Sequence, residues 1–121
     1  MKIDTFLRKW YNNIFENYGG VTSPEYEEFQ KGYKKVLTEL ANEIDFILYQ
    51  FNKNHYEFSA VLQDTKTNKF YYISISDVRY WKNEWADRIL YRTMEHDHDW
   101  HGGLNHYSDL KNLKTNLLKL K

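Results

Sequence analysis

Four of the five histidines in this chain fall within Glu95-His96-Asp97-His98-Asp99-Trp100-His101-Gly102-Gly103-Leu104-Asn105-His106, interleaved with carboxylates. Neutral imidazoles beside aspartates are the donor set of zinc or a similar divalent ion, and a loop leaving a strand can wrap several of them around one ion. The candidate ligands are His96, His98 and His101 with Asp97 or Asp99, and His106 could close the site. A plainer reading stands beside this one. The segment is then a polar, glycine-containing connection in which Trp100 packs inward and the imidazoles sit in water. Cysteine is absent, which excludes disulfides, thiolate nucleophiles and cysteine-based zinc sites. Only histidine and carboxylates remain as metal ligands, and the expectation for cofactors is none, with zinc as the alternative.

The order His-Asp-His-Asp-Trp-His-Gly-Gly is similar to the His-x-His-x-Asp-His motif of metallo-β-lactamase-fold hydrolases, but it departs from that motif where it matters. The aspartate comes one position early and Trp100 stands in its place. That family draws further ligands from distant strands, and downstream of this loop only His106 remains. Other reaction types find less. Ser59, Ser74 and Ser76 sit in alternating segments that read as the exposed face of a hairpin, not on the shaped turn a nucleophilic serine needs. Gly19-Gly20 and Gly102-Gly103 lack the Lys-Ser/Thr that completes a phosphate loop. Glu27-Glu28 fall in the first turn of an expected helix, where favourable interaction with its dipole explains them.

The elements that must position these residues can be read from periodicity. Ile3, Phe6, Leu7, Trp10, Tyr11, Ile14, Phe15 and Tyr18 recur at helical spacing until Gly19-Gly20. Thr22-Ser23-Pro24-Glu25 is a helix start, with a hydroxyl cap and proline at the first helical position. The apolar period then runs from Tyr26 through Leu40 and Ile44 to Phe51, which predicts a second helix reaching about residue 50. Alternation over Tyr56–Gln63, with Val61 the exception, a polar turn over Asp64–Lys69, and the aromatic and β-branched run Phe70–Ser76 predict a hairpin. Arg88–Met94 reads as a third strand, Glu95–Tyr107 as a loop, and Ser108-Asp109 as the cap of a final helix with Leu110, Leu113, Leu117 and Leu118 on one stripe. The conformation of residues 77–87 is left open. These readings give one α+β domain over residues 1–121 in the order ααβββα, its three-stranded antiparallel sheet covered on one face.

Composition narrows the class of function. Aromatic residues make up 18% of the chain, with eleven Tyr, seven Phe and four Trp, an excess that fits either a contact face or a Tyr-rich core with its hydroxyls at the rim. Tyr80, Trp81, Trp85 and Trp100 lie in irregular segments and are the candidate interface anchors. Seventeen basic side chains balance seventeen acidic ones, with net charges of −2, −1 and +3 over residues 1–50, 51–100 and 101–121. That balance argues against direct nucleic-acid binding, although Arg79, Lys82, Arg88 and Arg92 beside aromatic groups keep an accessory role of that kind as an alternative. No signal-like or membrane-spanning apolar run is present, and the expected location is the cytoplasm of a host cell.

The segment Arg88-Ile89-Leu90-Tyr91-Arg92-Thr93, continuing through Asp99-Trp100-His101-Gly102-Gly103-Leu104-Asn105-His106-Tyr107 into a Leu/Lys helix, resembles one found in small accessory proteins of phages and conjugative elements of Gram-positive bacteria, among them anti-CRISPR inhibitors. The resemblance implies a binding protein that is not an enzyme and that inhibits a host defence nuclease such as Cas9, or its RNA/DNA complex, by occlusion. It carries no catalytic residue across. The competing class is a small zinc-binding protein or hydrolase centred on His96–His106.

Overall fold

The computed structural model describes residues 24–53, 58–75, 89–97, 99 and 104–120. The first expected helix, over residues 3–18, lies outside them.

Helix α1 spans Pro24–Glu43 and starts at the proline the sequence marks. Phe29, Tyr33, Val36, Leu37, Leu40 and Ala41 form its buried stripe, and Gly32 does not interrupt it. On the solvent side Lys31 Nζ lies 3.2 Å from Glu27 Oε1, an exposed i,i+4 pair of small energetic weight. The helix stops seven residues earlier than its apolar period predicts. Ile44 N–H donates to Ala41 O at 3.1 Å and Asp45 N–H to Asn42 O at 3.4 Å, tightening the last turn. Asp45 then takes φ of 61°, the left-handed conformation that ends helices and that aspartate tolerates better than most residues.

Strand β1 follows over Phe46–Lys53, where a helix was expected. Phe46 is buried and Leu48 packs on the core, whereas Ile47 and Tyr49 are 41% and 44% exposed, so the burial period here is two. Between Leu48 and Gln50 the register against the next strand slips, Leu48 facing Leu62 but Gln50 facing Val61. Tyr49 is the extra residue of this β-bulge. It shifts the phase so that Phe51 again faces the core, which is why the apolar residues of the segment fit no single strand period.

Strands β2 (Phe58–Asp64), β3 (Phe70–Ile75), β4 (Ile89–Met94) and β5 (His106–Ser108) complete a five-stranded antiparallel meander in the order β1-β2-β3-β4-β5. The predicted hairpin and third strand are β2, β3 and β4. The predicted three-stranded sheet in ααβββα order is corrected to five strands, with β1 taken from the presumed helix and β5 from the presumed loop. Three residues are too few for β5 to show a period. The α+β class stands.

Asp64 closes the β2–β3 turn: its Oδ1 accepts from Lys66 N–H at 2.8 Å and Thr67 N–H at 3.4 Å, and its carbonyl accepts from Asn68 N–H at 2.8 Å. Asn68 is left-handed with φ of 62°. Thr65 donates to Asp45 O through both its N–H at 3.0 Å and its hydroxyl at 2.7 Å, tying this turn to the end of α1.

The last helix, α2, spans Leu113–Leu120. Asp109 Oδ1 accepts from Asn112 N–H at 2.8 Å, so the predicted cap closes a turn just ahead of the regular helix. Leu110, Leu113 and Leu117 are buried with Leu120 against them, while Leu118, expected on the same stripe, is exposed. Both helices cover one face of the sheet, packing on Phe46, Ala60, Leu62, Tyr71, Ile73, Ile89 and Tyr91. Lys114 Nζ, 3.2 Å from Glu43 Oε1, links them. The expectation that only one face is covered is corrected too. Val61, Arg92 and Met94 point to the opposite side yet are 0%, 3% and 8% exposed.

Candidate functional site

The histidine-rich segment leaves β4 on the sheet face away from the helices, and one buried cation organises its start. Arg92 is directed to that face by the alternation of β4, opposite Tyr72. Its guanidinium carbon lies 4.9 Å from the Tyr72 ring centroid, within cation–π range. Nη2 donates to the Asp99 carbonyl at 2.7 Å and Nη1 to the Thr93 carbonyl at 3.2 Å, with Asp99 Oδ2 3.9 Å from Nη1. Backbone carbonyls are therefore the close acceptors, and the carboxylate adds charge at longer range.

The same carboxylate works inside the loop. Asp99 Oδ2 accepts from Glu95 N–H at 3.0 Å, and Asp99 N–H donates to His96 O at 3.2 Å. A second fastening comes from far along the chain, where the Tyr49 hydroxyl donates to Asp97 Oδ2 at 3.0 Å. The Tyr49 ring meets Phe70 edge-on at 4.9 Å. Hydrogen bonding to Asp97 and the proximity of its charge raise the Tyr49 hydroxyl above the usual tyrosine range.

His96 is exposed on this loop. His106 is elsewhere: in β5 it pairs with Tyr91 on the helix side and stacks on that ring at 5.2 Å with 27° between planes. The sheet thus separates His106 from the face where Asp97 and Asp99 are bonded. His98 and His101 lie outside the described residues. Among the described residues no group of three histidine or acidic side chains could hold a metal ion. The expected anchors Tyr80, Trp81, Trp85 and Trp100 also lie outside them, as do Arg79, Lys82 and Arg88. Arg92, the remaining member of the suggested basic set, is too buried to meet a phosphate.

Two apolar side chains at the β5 edge were not anticipated. Leu104 is 76% and Tyr107 62% exposed, and Tyr107 stands opposite Leu90 on the face away from the helices. Sequence offered a faint signal for Tyr107, an aromatic residue between polar neighbours. For Arg92 the signal was clearer: one charge inside Ile89-Leu90-Tyr91-Arg92-Thr93-Met94 must find partners if the strand is central. Two tyrosines on the helix side carry hydroxyls that ionise less readily than usual, Tyr33 through burial, and Tyr71 through burial and then the charge of Asp64.

No family model matches this chain, and neither does any curated protein or solved structure. No helix among the described residues is long and apolar enough to cross a membrane.

Proposed function

We propose that this chain is a binding protein that acts by covering a surface of another macromolecule, with the β5 edge as part of its contact strip. The observation that carries the reading is the pair Leu104 and Tyr107, large apolar side chains left mostly in solvent beside the terminal strand of the sheet. Among the described strands β5 is an edge, and an edge offers backbone donors and acceptors to an incoming chain beside its side chains. Tyrosine serves such a surface well, since it buries a large ring at little entropic cost and keeps a polar tip. Among the described residues several polar groups hold structure, with Arg92 and Asp99 fixing the loop, Asp97 bonded to Tyr49 and Asp64 closing a turn.

The resemblance in residues 88–107 supplies the partner class: a host defence nuclease, Cas9 first, inhibited by occlusion. The test is a pull-down from a CRISPR-bearing Gram-positive host with the wild-type chain and the variant Leu104→Ala/Tyr107→Ala. Wild type should retain Cas9 and the variant should lose it while unfolding at the same temperature. Retention of Cas9 by both moves the contact strip elsewhere; capture by neither removes the nuclease reading.

A further inference from the structure

We propose that the start of the histidine-rich loop, residues 95–97 and 99, is a strap that opens in one step, because closing it and compensating the buried Arg92 cation are a single event. This goes beyond the contact strip at β5 and does not rest on it.

The bonds at Asp99 share atoms. Asp99 gives Arg92 its 2.7 Å carbonyl acceptor and a carboxylate oxygen 3.9 Å away. That same oxygen holds Glu95 N–H at 3.0 Å, and the Asp99 amide closes the turn on His96 O at 3.2 Å. Lifting residue 99 therefore breaks both of these loop bonds and strips Arg92 of the Asp99 carbonyl and carboxylate together, leaving it the Thr93 carbonyl and the Tyr72 ring. A guanidinium that is 3% exposed cannot lose those groups cheaply while it stays buried. Half-open arrangements retain the desolvation penalty without the compensation, so they lie above both the closed state and a fully open one that admits water. Such a free-energy profile is two-state, the property a conformational switch needs.

The two fastenings differ in weight. The Tyr49–Asp97 bond is exposed, competes with water, and acts as a trim on the equilibrium. The Arg92–Asp99 contact, with Arg92 buried and Asp99 half-buried, sets it. Since the strap carries His96, its opening moves that side chain together with Asp97 and Asp99.

Residue-resolved amide hydrogen exchange on the full chain, under conditions where opening is a fast pre-equilibrium, tests this. The Glu95 and Asp99 amides, bonded to different acceptors, should show the same protection. Tyr49→Phe touches neither acceptor, yet should accelerate both amides by one common factor of about threefold, the scale of one exposed hydrogen bond. Arg92→Lys should accelerate both by about tenfold or more, again equally, while the β3–β4 ladder amides stay far better protected than the loop. Acceleration of only one amide, or no response of either to Tyr49→Phe, overturns the single-step strap. Ladder amides falling to the same protection as the loop would make Arg92 a support of the sheet and overturn it as well. Should Arg92→Lys fail to fold, the Tyr49→Phe comparison decides alone.

Discussion

The two faces of the sheet solve burial in different ways. On the helix side, Leu37, Leu40, Leu62, Ile73, Leu113 and Leu117 exclude water with hydrocarbon, and the polar atoms admitted there are few. On the other side Val61 and Met94 are also buried, but beside them lies Arg92, a full charge held by carbonyls and an aromatic ring. Hydrocarbon contacts are non-directional and fix no loop, whereas a guanidinium with set hydrogen-bond directions fixes one. The first face supplies stability; the second converts some of it into a defined loop conformation.

Substitutions should separate the two roles. The largest effect is expected on the helix side: Leu62→Ala leaves a cavity at a fully buried site and should lower unfolding free energy by about 3 kcal/mol in denaturant titration, with the loop's near-native geometry retained until the domain melts. Arg92→Ala should cost less, about 2 kcal/mol in the same titration, because Asp99 is freed to rehydrate. A cost above that of Leu62→Ala would erase the distinction between the faces.

The helix side also has a pH signature. Burial holds the Tyr33 hydroxyl neutral well beyond the ordinary tyrosine value of 10.0, so its contribution is complete below that value. Above it the unfolded chain releases the proton and the folded chain does not, and stability falls with rising pH by about 1.4 kcal/mol per pH unit for this group. Tyr33→Phe should remove that part of the alkaline slope, seen by repeating the denaturant titration at several pH values. A slope unchanged by the substitution would mean that the hydroxyl ionises in place. Smaller again, Tyr107→Ala should shift stability by less than about 0.5 kcal/mol, as befits an exposed side chain, whatever it does to partner capture. Lys31→Ala, which removes an exposed helix pair, should change it by about 0.3 kcal/mol.

What could be read from sequence was what neighbours along the chain decide. Pro24 announced α1, the polar run from Asp64 announced a turn, and Phe70–Ile75 and Ile89–Met94 announced strands, because each signal lies within a few residues of the element it makes. The segment Phe46–Phe51 was misread since its apolar residues satisfy a helical period as well as a bulged strand; the deciding feature was one left-handed aspartate. Burial of Val61 on the second face was visible only as a break in alternation. The loop eluded sequence reasoning most. Its fastenings join Tyr49 to Asp97 across 48 positions and recruit Arg92 from a strand that otherwise looks apolar, so the histidines drew attention while an arginine and two aspartates did the positioning.

The bulge at Tyr49 has a consequence for how copies of this chain meet. Among the described strands β1 is the long open edge, and with Ile47 in solvent a straight version of it would be a template for pairing with its like. An extra residue in mid-strand kinks and twists that edge, so two copies cannot lay down a continuous ladder. Deleting residue 49 should straighten the edge and make the protein scatter more light on concentration than the wild type does; a deletion variant that scatters no more would show that the twist protects nothing.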